Sequence, residues 1–222
     1  MGPLLFLVYI NDMPERISEG TRIRLFADDS ILYRSIKSCN DSSLLQKDLD
    51  KLQEWESEWK MEFHPQKCKV IQITNKRSPL SKNYTIHGET LEKVPKADYL
   101  GVTLDNKMSW DDHVDKVCRN ANNKLSFLRR NLSTCPKDVK EKCYKTYVRP
   151  ILEYAATVWD PKTKKCNDKI ESVQRRACRF VSNNYSRTES VSSMLKETNW
   201  TPLVERRKRH KLETLFKGQM GQ

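Results

Sequence analysis

Near residue 105 the spacing of apolar residues changes from short alternating runs to three- and four-residue steps, and one layer of structure cannot satisfy both periods. The chain therefore reads as two parts, 1–105 and 106–222. In the first, TRIRLFADDSILYR (21–34) alternates apolar Ile23, Leu25 and Ala27 with Arg22, Arg24 and Phe26, breaks at Asp-Asp-Ser, and resumes at Ile31, Leu32 and Tyr33. This predicts a β-hairpin with two acids at its tip. From Asp41 the spacing of Leu45, Leu49, Leu52, Trp55 and Trp59 predicts a helix that packs on a sheet and ends at His64-Pro65. Residues 68–74, 83–88, 89–94 and 98–105 read as short strands separated by Pro and Gly. Residues 3–12 are apolar on every side and predict a buried helix.

Beyond 105 the helical period holds. Ser109 and Asp112 resemble a capping box before the stripe Val114, Val117, Ala121, Leu125 and Leu128. Pro136 opens a helix that Pro150 kinks or splits, and another spans about 167–182 with Ile170, Val173, Ala177 and Phe180 inward. A last helix starts at Thr201-Pro202 and carries Arg206, Arg207, Lys208 and Arg209. Charge follows the same division. Residues 1–100 hold 15 Lys+Arg against 15 Asp+Glu, so the whole net charge of +12 lies in residues 101–222. A basic half of this kind suits a polyanion, nucleic acid first.

Several classes are excluded. The longest apolar run, Leu4 to Ile10, is far short of the ~20 residues that span a bilayer, and acids follow it where a signal peptide would carry a cleavage site. No membrane partner is expected, and the location predicted is intracellular, in nucleus or cytoplasm. Seven widely spaced cysteines without a Cys-x-x-Cys pair predict reduced thiols with no disulfide partner and no zinc knuckle.

The chemistry resides in the hairpin. Adjacent aspartates on a rigid, open turn after an apolar strand suit two-metal phosphoryl transfer, in which carboxylates hold divalent ions ~3.5–4 Å apart. An Asp-Asp pair alone is a weak signal, since acids in turns are usually solvated. Its surroundings add to it. GPLLFLVYIND (2–12), FADD (26–29), DLDKLQEWESEWKMEFHPQKCKVIQIT (48–74), YLGVTLDNKMSWDDHV (99–114) and WTPLVERRKRHKL (200–212) together resemble, in order, the palm and thumb of reverse transcriptases from non-LTR, LINE-type and jockey-like retrotransposons.

That resemblance implies an α+β fold: a partial polymerase palm over 1–105, an antiparallel sheet with a catalytic hairpin and helices, then an all-α, basic, thumb-like region over 106–222. It implies that Asp28 is the principal and Asp29 the secondary ligand for Mg²⁺, or Mn²⁺ in its place. Phe26 and Ala27 would shape the strand beneath the primer terminus, and Lys67 would protonate the departing pyrophosphate. Arg206, Arg207, Lys208 and Arg209 would meet an RNA template and DNA primer. His64 stands where the family more often has Asn. His87, His113 and His210 are isolated and carry no ligand role.

The family's first catalytic aspartate and the fingers precede the segment that GPLLFLVYIND resembles. The expectation is thus a C-terminal fragment that retains two carboxylates of three, partnered in its parent by the upstream palm and fingers. Loss of a metal ligand costs roughly a thousandfold or more in rate, so the chain alone should be nearly inactive. Two functions follow: a fragment of an RNA-directed DNA polymerase, or a non-catalytic basic nucleic-acid-binding module derived from one.

Overall fold

The computed structural model describes residues 2–186 and 190–220. It divides into two units, Met1–Met108 and Ser109–Gln222.

In the first unit, helix α1 (Gly2–Ile10) leads through a 3₁₀ turn, Met13–Arg16, to strands β1 (Thr21–Phe26) and β2 (Asp29–Arg34). The hairpin register pairs Ile23 with Leu32 and Phe26 with Asp29. Helix α2 (Cys39–Trp59) begins two residues earlier than Asp41, because Ser38 is its cap: the Ser38 hydroxyl accepts from the Asp41 N–H while the Asp41 side chain accepts from the Ser38 N–H. It ends before His64-Pro65, at Lys60, whose φ of +52° turns the chain out of the helix.

The α2 stripe divides between two cores. Leu52 and Trp55 join Ile10, Met13 and Ile23, with Leu25 and Leu32 of the hairpin packed on them. Leu45 and Leu49 pack on Tyr84, Ile86 and Leu91. Asp12 ties the turn after α1 to α2, since its two oxygens accept from the indole N–H groups of Trp55 (2.9 Å) and Trp59 (3.2 Å). Buried Asp48 likewise accepts from the backbone N–H and hydroxyl of Ser18. The bonds from Ser18 keep buried Asp48 satisfied, which an apolar interior requires.

Helix α1 corrects an expectation. Its residues Leu4, Leu5, Leu7, Val8 and Tyr9 are exposed, and among its described side chains Ile10 alone enters the core as a buried one.

The strands also differ from a single antiparallel sheet. Among the described residues they form four two-stranded ladders: β1–β2, β3 (Lys69–Val70) with β6 (Glu92–Lys93), β4 (Thr85–Ile86) with β5 (Glu89–Thr90), and β7 (Lys96–Tyr99) with β8 (Val102–Asp105). The β3–β6 ladder is parallel. The run 98–105, read as one strand, is a hairpin. Its two-residue turn, Leu100-Gly101, has φ of +46° and +78°, the pair of positive angles that matches the right-handed twist of the flanking strands.

The second unit is helical. Helix α3 (Asp111–Asn131) buries Val114, Val117, Ala121, Leu125 and Leu128, as its stripe predicts. Its cap position is Trp110 rather than Ser109. Helix α4 (Lys137–Cys143) runs into a π-helical turn, Tyr144–Val148, and α5 (Arg149–Glu153) restarts with Pro150 in its first turn, where the missing N–H costs nothing. The short α6 (Ala156–Trp159), not foreseen, precedes α7 (Lys164–Val181), which buries Ile170, Val173, Ala177 and Phe180.

Helices α3 and α7 are parallel and in register: Cys166 Sγ meets Asp111 at 2.9 Å, Lys169 Nζ meets Asp115 at 2.5 Å, and Arg176 donates to Asn122 at 2.9 Å. Helices α8 (Val191–Glu197) and α9 (Leu203–Gln219) complete the unit, with Met194 and Leu203 fully buried. No described helix is long and apolar enough to cross a membrane.

Candidate active-site hairpin

Three two-residue hairpin turns occur in the first unit, and two of them follow the same rule. His87-Gly88 joins β4 to β5 and Leu100-Gly101 joins β7 to β8, each with a glycine at the second turn position and positive φ at both. The third, Ala27-Asp28, joins β1 to β2. It places an aspartate where the others place glycine. Ala27 holds φ at +51°, a left-handed conformation that costs a residue with a Cβ about 1–2 kcal/mol. His87 and Leu100 hold nearly the same angle in the other two turns, so the pair of aspartates is what sets this hairpin apart. Such strain persists where surrounding structure imposes it.

The strands impose it here. Ile23 and Leu25 are held against Leu52 and Trp55, while Arg22 and Arg24 face solvent, so the hairpin cannot slip by one residue without turning its apolar face outward. Asp28 and Asp29 are exposed, and neither carboxylate makes a hydrogen bond or ion pair among the described residues. Phe26, also exposed, and Ala27 flank them. Beside the turn lies a shallow depression lined by Gly2, Phe6, Leu7, Ala27 and Asp28. The N-terminal turns of α1 therefore form one wall next to Asp28.

Tyr99, absent from the sequence-based site, belongs to this neighbourhood. Its hydroxyl is pushed above the ordinary phenol range, by burial first and then by the negative charge of Asp29. The signal was present in YLGVTLD, where a Gly two residues after Tyr99 marks a turn and puts Tyr99 at a strand end.

Lys67 is exposed in the turn that follows Pro65, where its backbone N–H donates to the His64 carbonyl at 2.9 Å. No described contact brings its ammonium to the hairpin. His87 bonds to buried Glu56 at 3.1 Å, and His113 is buried edge-on to Trp159, so both are structural.

The basic cluster on α9 is divided by the fold. Arg206 pairs with Glu153, and Arg207, 0% exposed, donates from Nε to Asp160 at 2.9 Å and from its guanidinium to Asn167. Lys208 and Arg209 face outward. The expectation that Arg206 and Arg207 meet phosphates is thereby corrected. Consecutive helical residues fan out by 100°, and these two point at acids of α5 and of the segment after α6.

Aspartate oxygens are the hard donors that Mg²⁺ or Mn²⁺ prefers, so Asp28 and Asp29 fit such ions in kind. They are two, and among the described residues no group of three His, Cys, Asp or Glu side chains could hold a metal ion.

Comparison with known proteins gives this hairpin its setting. Residues 1–104 match the family described as reverse transcriptase (RNA-dependent DNA polymerase). That segment, with its Ala-Asp-Asp turn, belongs to the reverse transcriptases. The similarity continues past the segment. The chain is 30% identical over 192 residues to a probable RNA-directed DNA polymerase from transposon BS of Drosophila melanogaster, covering 82% of this chain and 21% of that protein. It is 27% identical over 208 residues to the RNA-directed DNA polymerase from mobile element jockey of Drosophila melanogaster, and 29% identical over 208 residues to its counterpart in Drosophila funebris, each covering 88% of this chain and 23% of the relative. Its kinship is thus with the reverse transcriptases of non-LTR mobile elements. The chain spans about a fifth of the length of these curated relatives. No solved structure matches it significantly.

Proposed function

We propose that this chain is the C-terminal palm-and-thumb portion of an RNA-directed DNA polymerase of a non-LTR retrotransposon, with Asp28 and Asp29 as its contribution to the nucleotidyl-transfer centre. The observation that carries the reading is the strained Ala27-Asp28 turn, which holds two unpaired carboxylates outward at a fixed register within a segment of reverse-transcriptase sequence. Asp28 and Asp29 would hold Mg²⁺ or Mn²⁺, whose chemistry is to activate the primer hydroxyl and stabilise the pyrophosphate that leaves.

The chain's own residues prepare the place. Leu25 and Ile23 anchor β1, so that Phe26 and Ala27 lie as a fixed floor for a primer terminus. The exposed ring of Phe26 offers an apolar face to a sugar or base. Lys67, with an unpaired ammonium, is the group proposed to donate a proton to pyrophosphate. The second unit, which holds the net positive charge, is proposed to grip the RNA template and DNA primer through phosphates, with Lys208 and Arg209 as the available pair on α9. With two of the three carboxylates such a centre uses, the chain by itself is expected to incorporate no nucleotide on a primed RNA template.

Photocrosslinking tests the assignment without requiring turnover. An RNA–DNA hybrid whose primer ends in 4-thiothymidine is irradiated with the full chain and the crosslinks are mapped. The reading predicts crosslinks at 26–29 and at Tyr99. Crosslinks confined to residues beyond 109 would refute the primer-terminus assignment and leave a binding module.

A further inference from the structure

The second unit, residues 109–222, holds 25 Lys+Arg against 13 Asp+Glu, and the fold neutralises many of these cations internally. Arg149 and Arg206 pair with Glu153, Lys145 with Glu141, Lys169 with Asp115, and Arg207 and Lys211 with Asp160. The charges that remain are the ones able to act on something else. On the outer face of α3, Arg129 and Arg130 are exposed and have no acid partner among the described residues.

Their surroundings are specific. Ser126, Arg129, Arg130 and Tyr185 line a shallow surface depression that contains no acidic side chain among the described residues. The Arg129 guanidinium lies 5.3 Å from the centre of the Tyr185 ring. That ring is still 51% exposed, and one turn back on α3, Phe127 is 53% exposed beside Arg130. Arginines in the last turn of a helix also complement the helix dipole, but that role needs no aromatic ring. Two solvent-facing aromatics interleaved with two unpaired guanidiniums form the combination that holds an unpaired polynucleotide strand: cations for the backbone, π-faces for the bases.

We infer that the depression formed by Ser126, Arg129, Arg130 and Tyr185, with Phe127 at its edge, is a binding site for single-stranded nucleic acid, in which Arg129 and Arg130 meet phosphates and a base stacks on Tyr185. This site is separate from the hairpin and does not depend on the hairpin's assignment. It also relocates the polyanion contact foreseen for Arg206 and Arg207 to a surface where the charges are free. Because stacking accepts any base and the phosphates are uniform, binding is insensitive to sequence.

The test is fluorescence anisotropy of the full chain with a fluorescein-labelled 20-mer of dT, titrated with salt, with a thermal melt of each variant to establish that it folds. Arg129→Gln with Arg130→Gln should lower the log–log salt slope by about 1.4, at about 0.7 per phosphate on a single strand. Tyr185→Ala should weaken binding about tenfold at every salt concentration with the slope unchanged, and Tyr185→Phe should restore it. Lys51→Gln, at an exposed position of α2 outside both sites, should have no effect on this binding. Parent-like affinity and slope in both the double Arg variant and Tyr185→Ala would overturn the inference. So would a double Arg variant that loses binding to phosphatidylserine vesicles while keeping its affinity for the oligonucleotide, which would make the patch a membrane contact.

Discussion

Replacing Asp160 by Asn removes the charge that a buried guanidinium faces while preserving volume. Arg207 has a fully buried side chain, and Asp160, 19% exposed, supplies its ion-pair partner among the described residues at 2.9 Å and accepts from Lys211 at 2.6 Å as well. Breaking a buried ion pair from one side costs about 3–5 kcal/mol, because the remaining charge stays buried without compensation. The partial exposure of Asp160 and the bond from Arg207 to Asn167 argue for the lower end, about 3 kcal/mol. For a unit of this size each kcal/mol moves Tm by about 4 °C, so the melt of the second unit should fall by about 12 °C. The assay is circular dichroism at 222 nm on the full chain.

The pH dependence follows from the same pair. Burial pushes the Asp160 carboxyl up, but hydrogen bonds from Lys211 and Arg207 outweigh it and hold the group below its ordinary 3.8. A depressed folded-state pKa means that the stabilisation is present above the unfolded-state value near ~4 and is lost as pH falls through the folded-state value. The Tm gap between parent and Asp160→Asn should therefore be constant from pH 5 to 8 and close below pH 4. A shift under about 3 °C at pH 7, or a gap no smaller at pH 3 than at pH 7, would refute the argument that this pair secures α9.

In the first unit, Trp55→Ala should cost about 3–5 kcal/mol by emptying the fully buried site between α2 and the hairpin, and should abolish the unit's cooperative melt in urea while leaving the second unit's transition in place. The thiols should react in order of access: DTNB should label exposed Cys39 rapidly at pH 8. Cys118, whose thiol is pushed up to about 11 by burial first and then by Asp115, should react only on unfolding.

Elements with a strong period were legible in the sequence, and tertiary pairings were not. The α3 stripe from Val114 to Leu128 and the alternation of β1 name their own buried faces, because spacing alone determines which side chains share a side. Helix ends were harder to read: α2 stops at Lys60 in a left-handed conformation that its sequence does not advertise, where a glycine would have done so. An all-round apolar segment such as 3–12 has no amphipathic signal, so its exposure in α1 could not be foreseen. The run Arg206–Arg209 read as a contact for nucleic acid, since the partners of Arg206 and Arg207, Glu153 and Asp160, lie about fifty residues earlier in the chain. The hairpin with Asp28 and Asp29 was readable from local residues, whereas Tyr99 reaches Asp29 only through the fold.

The central claim, that Asp28 and Asp29 are metal-binding carboxylates held out by a strained turn, is tested most directly by titrating Mn²⁺ into the full chain and following paramagnetic broadening in its amide NMR spectrum. The account predicts that the resonances of 26–29 broaden first, with Tyr99 next, that Mg²⁺ competes the effect away, and that Asp28→Asn abolishes it at the hairpin. Broadening that begins elsewhere in the chain, or that is the same in Asp28→Asn, would contradict it.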